Sequence, residues 1–271
     1  MKRLILLSTL CVSMILSATT RLCAQSAEAS ENEDKWLLAA AVDVLSQYEW
    51  RGFSNCGMSF QPQIELSRVL PKDWEVYGSL WFDGSLKGGL GSFPLGWTEK
   101  DDYSELDASL GVYRNGLDFC LTGYFSDICI SQAETAFALD AALSYESDFG
   151  LSFAWSTLLV NPGYIEEGFF SQPFDTYLEL GYDVSVWELD LGAKVGAVPW
   201  YSPYIFDHED YDCTPDASGF HFTKLALQVG HTFTFADERC SLPLALNYVY
   251  SPVAGEGFLQ LKVGFAFDAS F

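Results

Sequence analysis

From Trp36 onward, apolar and polar residues alternate with period two in short runs, the pattern of strands with one greasy and one wet face. It is clearest in Leu106-Asp107-Ala108-Ser109-Leu110-Gly111-Val112-Tyr113 and in Leu117-Asp118-Phe119-Cys120-Leu121-Thr122-Gly123-Tyr124-Phe125. Between these two runs sits Asn115-Gly116, a tight-hairpin dipeptide. Counting weaker runs as well, the pattern predicts about twelve strands, over 36–51, 61–70, 74–83, 104–114, 117–126, 134–146, 150–160, 173–183, 187–198, 220–235, 241–251 and 257–271. Each is close to the ~10 residues that a tilted strand needs to cross a bilayer.

The connections between these runs alternate in length. Pro71–Asp73, Asn115-Gly116, Ser147–Phe149, Val184–Val186 and Ala236–Cys240 are short, whereas 84–103, 127–133, 161–172 and 199–219 are long and rich in Gly, Pro, Asp and Tyr. Tight periplasmic turns and long outer loops alternate in this way in outer-membrane barrels, and an even strand count puts both termini on the short-turn side. The first and last outer loops, 52–60 and 252–256, are expected to be modest. The predicted fold is therefore all-β, an antiparallel transmembrane β-barrel of about twelve strands. A secreted β-sandwich also alternates, but its strands average nearer six residues and its apolar face points inward.

In lipid every backbone donor and acceptor must be satisfied internally, so a closed barrel with an apolar exterior is the β solution. The apolar parity of each strand, for example Val76/Leu80, Leu225/Leu227/Val229 and Leu261/Val263/Phe265, contains no charge and is expected to face outward. Aromatics such as Trp36, Trp74, Trp187, Phe233, Phe235 and Phe267 fall near strand ends, where interfacial girdles lie.

The opposite parity is then expected to line a lumen with the acids Asp43, Glu49, Glu65, Asp83, Asp107, Asp118, Asp140, Asp175, Glu179, Asp183, Glu188 and Asp190 and the bases Arg51, Lys194, Lys224 and Lys262. Twelve acids against four bases would favour cations in a narrow channel for small solutes. The bases fall on the first, ninth, tenth and twelfth predicted strands, which implies a field across the pore.

Charge and composition narrow the partners. With 37 acidic and 14 basic residues the net charge is −23, which argues against nucleic acid or anionic lipid as a partner. A soluble acidic protein rarely combines such a charge with 49% hydrophobic and 16% aromatic residues. The start, Met1-Lys2-Arg3 followed by the apolar run Leu4–Leu16 and the small-residue site before Gln25, reads as a signal peptide over 1–24. Residues 25–35 read as a flexible periplasmic leader and 36–271 as the barrel. Arg21-Leu22 ahead of Cys23 does not form a lipobox.

Five cysteines follow the signal: Cys56, Cys129 and Cys213 in predicted outer loops, Cys240 in a predicted periplasmic turn, and Cys120 facing inward from a strand. Their odd number forbids full intramolecular pairing, and their spacing fits no zinc pattern. No metal or cofactor is expected. The acidic run His208-Glu209-Asp210-Tyr211-Asp212 could offer oxygen ligands to a hard cation, but a solvated loop is the simpler reading. His221 and His231 are the other histidines, and neither sits in a pattern that makes a nucleophile–base pair. A non-conducting structural or adhesive barrel, and a barrel enzyme, remain as alternatives to the channel. The partners expected are outer-membrane lipid, small solutes and the barrel assembly machinery, toward which Phe271 would act as the C-terminal signal.

One stretch carries a family resemblance. Ser46-Gln47-Tyr48-Glu49-Trp50-Arg51-Gly52-Phe53-Ser54, followed by Gln61-Pro62-Gln63-Ile64 and Val76-Tyr77-Gly78-Ser79-Leu80-Trp81, resembles the opening of the TorF-like porin family, in which Tyr48, Trp50, Arg51, Gly52 and Ser54 match the first-strand motif. The resemblance implies an outer-membrane porin-like protein with no catalytic residues. The chain departs from the family pattern at Asn55-Cys56 and in its long acidic fifth loop.

Overall fold

The computed structural model describes residues 36–86, 104–126, 136–160, 174–200, 202, 219–237 and 239–270. The expected signal peptide and leader, Phe271, Cys129, Cys213, His208 and the long acidic loops lie outside the described residues. The strands in chain order are β1 (Trp36–Leu45), β2 (Tyr48–Trp50), β3 (Phe53–Cys56), β4 (Ser59–Leu70), β5 (Trp74–Ser85), β6 (Ser104–Arg114), β7 (Leu117–Ser126), β8 (Ala136–Glu146), β9 (Leu151–Val160), β10 (Asp175–Val186), β11 (Leu189–Val198), β12 (His221–Phe235), β13 (Cys240–Ser251) and β14 (Glu256–Ser270).

Twelve of them, β1 and β4 to β14, form a closed antiparallel barrel in which each strand pairs with its neighbours in sequence and β1 closes on β14. The closure is tight in register: Leu37 faces Ser270 and Leu45 faces Lys262. Closure leaves no unpaired edge, which is what a bilayer demands of a β protein. Two prolines mark gaps in the ladder. No pairing with β5 is formed at Gln61-Pro62, and none with β14 at Leu242-Pro243, as expected where a residue lacks an N–H.

The exterior is apolar. Leu110 is 70% exposed and Leu227 62%, with Leu80, Trp155, Leu180, Leu246, Leu261 and Phe265 also presented outward. Such a belt around a soluble protein would far exceed a normal exposed patch; around a barrel it is the lipid-facing surface. Short turns gather at one rim together with Trp36 and Ser270. They use left-handed residues, Lys72-Asp73, Asn115-Gly116 and Ala236-Asp237, and at the two-residue hairpin Asn115-Gly116 the positive φ values match the twist of the flanking strands. Aromatics crowd this rim: Trp74, Phe149, Trp187 (95% exposed) and Phe233. Arg68 and Arg114 stack over Trp36 and Trp74 there, at 5.4 and 5.2 Å. The opposite rim has its own band, in which Phe220 meets Phe222 edge-on and the Trp200 indole donates to the Phe174 carbonyl at 2.7 Å.

The departure from expectation is at the beginning. Instead of one strand over 36–51 and an outer loop over 52–60, the wall strand stops at Leu45 and the chain turns into the barrel. Ser46 accomplishes the exit: its N–H donates to the Leu261 carbonyl at 2.9 Å and its hydroxyl accepts from the Leu261 N–H at 2.8 Å. A small hairpin, β2–β3, follows, turned by Arg51 and Gly52 at φ 51° and 98°. It lies inside because its side chains find partners there, apolar ones for Trp50 and Phe53 and ionic ones for Glu49 and Arg51.

Candidate functional site

Along each wall strand the residues that do not face lipid face the lumen, so polar side chains from every strand converge there. The hairpin crosses this space and contacts opposite walls. Phe53 packs in a layer with Tyr124, Ala138, Leu158, Tyr177 and Val198, and Trp50 lies against it. Tyr48 sits beside Trp81, with ring centroids 5.8 Å apart, in a second layer with Leu45 and Cys56. The lumen therefore has an apolar core of its own at the height of the hairpin.

The four lumen bases are engaged in ion pairs. Arg51 is fully buried and reaches Asp175 at 3.1 Å and the Ser156 hydroxyl at 3.5 Å, its guanidinium flanked by the rings of Trp50 and Tyr177 at 4.5 and 5.3 Å. Lys224 bridges Glu49 at 3.0 Å and Glu179 at 3.2 Å, and Lys194 lies 3.7 Å from Glu179. Glu179 also accepts from the Tyr177 hydroxyl at 3.1 Å, and Glu49 accepts from the Gly52 N–H at 2.6 Å. Lys262 pairs with Asp43 across the β1–β14 seam. Charges withdrawn from water need such partners, because an unpaired buried ion costs several kcal/mol, by order of magnitude.

The tip of the hairpin meets a defect in the wall. Between β11 and β12 the register shifts at Gly196/Ala197, leaving Thr223 as the extra residue. A Cβ at Gly52 would overlap the Thr223 carbonyl. The bulge thus receives the turn, and only glycine fits there.

The other side of the lumen is acidic. Asp83 accepts from the Gln61 amide at 2.7 Å, and Asp140 accepts from the Thr157 N–H at 2.9 Å, next to a second bulge at Leu139/Asp140. Tyr124 and Tyr48 donate to Asp140 and Glu105, each at 3.4 Å. Nearer the short-turn rim, Tyr77 donates to both oxygens of Asp118 at 2.9 and 3.2 Å. Asp107 and Glu65 are buried on the inner face, Asp183 is half-buried, and Asp190 accepts from Ser185 at 2.8 Å.

Two expectations need correction. Glu188 does not face the lumen: it is exposed in the β10–β11 turn, where its carbonyl meets His231 Nδ1 on the outside. Glu49 and Arg51 are inside, but on the hairpin rather than on a wall strand, and with them Tyr48, Trp50, Gly52 and Ser54 form the body of that hairpin. Cys56 belongs to the same correction, since it is fully buried beside Asp83 rather than in an outer loop. Sequence reasoning left out Glu105, which shares the parity of Asp107, and the inward tyrosines Tyr77, Tyr124 and Tyr177.

Under the hairpin a cavity of about 20 Å³, room for about one water, is bounded by Glu49, Lys194, Lys224, Gln228, Asn247 and Gln260. Amides line up across three strands here. Asn247 donates to Gln260 at 2.8 Å, and Gln260 donates to the Gln47 carbonyl at 2.7 Å.

The architecture is that of outer-membrane β-barrels: a closed antiparallel sheet, an apolar exterior, aromatic rims and a polar interior. No family model matches the chain, and no curated protein matches it. Among solved structures it is similar to an outer membrane channel from Pseudomonas putida F1 (11% identity, TM-score 0.43, covering 89% of this chain and 97% of that one). It is also similar to the KdgM porin (6%, 0.39, 85% and 98%) and to outer membrane phospholipase A from Escherichia coli (11%, 0.38, 87% and 96%).

Proposed function

We propose that this chain is an outer-membrane, porin-like channel for passive diffusion of small solutes, favouring cations, with its path narrowed by the in-folded hairpin. The observation that carries the reading is the asymmetry of the lumen. Arg51, Lys194, Lys224 and Lys262 are each held in an ion pair, whereas Asp83, Asp107 and Asp140 have no ion pair among the described residues. A path along the β5–β8 wall therefore meets a net negative field, which low-dielectric walls strengthen. The resemblance of residues 46–81 to the TorF-like porin opening supports the same class. It also gives the motif a role, since Tyr48, Trp50, Arg51 and Gly52 build the constriction.

The test is a planar bilayer under a salt gradient with the purified protein. Small, cation-side reversal that weakens in Asp83→Asn with Asp107→Asn supports the reading, and anion-side reversal refutes the preference. A second reading, a non-conducting barrel, is favoured by the apolar layer around Phe53 and by the burial of the lumen side chains. Reproducible silence, persisting after the hairpin is replaced by a flexible linker, would establish it.

A further inference from the structure

Asp107 is 7% exposed, and its Oδ1 is buried with no hydrogen-bond partner. In register it stands directly opposite Trp81 on β5 and Tyr124 on β7, so its carboxylate lies between two inward aromatic side chains. Directly opposed residues have Cβ atoms roughly 4.5–5.5 Å apart. One level nearer the rim, Asp83 stands opposite Glu105; on the far side of Tyr124, Asp140 is held by the Tyr124 hydroxyl. Tyr48 from the hairpin covers the group, its ring beside Trp81 and its hydroxyl on Glu105.

A buried carboxylate with an idle oxygen is costly unless a donor reaches it. Asp83 on β5, Glu105 and Asp107 on β6 and Asp140 on β8 raise that cost together; the Arg51 charge acts on Asp140, but among the described residues no cation forms an ion pair with Asp83, Asp107 or Asp140. A cation from solution would relieve it. A bare metal ion fits poorly, because among the described residues no three acidic, histidine or cysteine groups converge to hold one. Aromatic side chains opposite the carboxylate on both neighbouring strands instead suit a cation that is itself partly apolar, bound by charge to the acid and by cation–π attraction to the rings.

We infer that Asp107, between Trp81 and Tyr124, anchors a lumenal binding site for a small organic cation bearing an alkylammonium or guanidinium group. This deepens the cation-favouring channel reading and rests on it, since the lumen must admit the solute. Asp83, Glu105 and Asp140 supply the surrounding negative field, and Trp81 supplies discrimination against inorganic ions. The site lies four residues into β6, toward the rim where β6 begins and β7 ends.

Calorimetric titration of the folded, detergent-solubilised protein with n-butylammonium chloride tests the inference, with sodium and calcium chloride at matched ionic strength as comparators. Saturable butylammonium binding is expected, weakened about tenfold or more by Asp107→Asn. Trp81→Leu should weaken it by about fivefold while leaving any calcium heat unchanged. Heat-dependent gel migration of each variant shows whether its barrel is intact, and Asp140→Asn provides a second charge variant. Absence of saturable binding to an intact barrel overturns the site, as does binding indifferent to Asp107→Asn. Calcium binding tighter than that of butylammonium and insensitive to Trp81→Leu also overturns it, in favour of a metal site. Bilayer silence with butylammonium binding intact would refute the channel and spare the site, whereas conduction without binding would do the reverse.

Discussion

Gly52 combines two constraints, a φ of 98° and backbone contact with Thr223, that no other residue type meets together. Gly52→Ala should therefore undock the hairpin while leaving the wall strands paired. The expected result is faster proteolysis within residues 46–58 of an otherwise heat-modifiable barrel. Arg51 is expected to behave differently. Arg51→Met leaves Asp175 buried without its cation, at a cost of about 3–5 kcal/mol. Arg51→Met with Asp175→Leu should recover much of that loss, which thermal shifts of the gel transition would measure. The thiols give a third residue-scale expectation: Cys56 and Cys120 are buried and Cys240 is partly exposed at the short-turn rim. In folded protein a maleimide should modify Cys240 and spare the other two, which are buried out of the reagent's reach. Rapid labelling of Cys56 would mean that the hairpin is not inside. At this scale the sequence was legible only in part. Parity identifies which side of a wall strand a carboxylate occupies, but not that an Asp140 oxygen finds the Thr157 N–H while an Asp107 oxygen finds no donor. Those depend on contacts between strands, which leave no mark on alternation.

At the scale of the elements, the wall strands could be read because lipid outside and polar groups inside impose opposite demands on alternate residues. Leu110 and Asp107, three apart on β6, illustrate the two sides. The hairpin could not be read in this way. Its residues Tyr48-Glu49-Trp50 repeat the parity of Val42-Asp43-Val44, so the period can be drawn straight through the interruption at Leu45-Ser46. The signal present was Arg51-Gly52, a two-residue turn with glycine second, obscured because Asn or Asp usually precedes the glycine. Replacement of residues 46–58 by a Gly-Ser linker should open the lumen. Unit conductance is expected to rise several-fold over the intact chain, and an unchanged conductance would show that the constriction lies elsewhere.

At the scale of the molecule, closure by strands of about ten to fifteen residues predicts that unboiled protein migrates differently from boiled protein on a denaturing gel. Identical migration would remove the barrel. Twelve strands enclose a lumen between the filled interior of eight and the open one of sixteen, and here the protein fills part of it with its own chain. That outcome lay beyond sequence reading because it depends on contacts between residues far apart in the chain, such as Arg51 with Asp175 and Glu49 with Lys224.

Those same contacts impose an order on events in time. The hairpin is synthesised second, after β1, but its anchors on β10 and β12 come more than a hundred residues later, and β1 itself must wait for β14. Contacts so distant in sequence form slowly, since a long loop must close before they stabilise anything. Until β10 and β12 are in place Glu49 and Arg51 lack their ionic partners, so their burial is expected late, close to the meeting of the first and last strands. On that ordering the hairpin is expected to be enclosed as the barrel closes rather than inserted into a finished one.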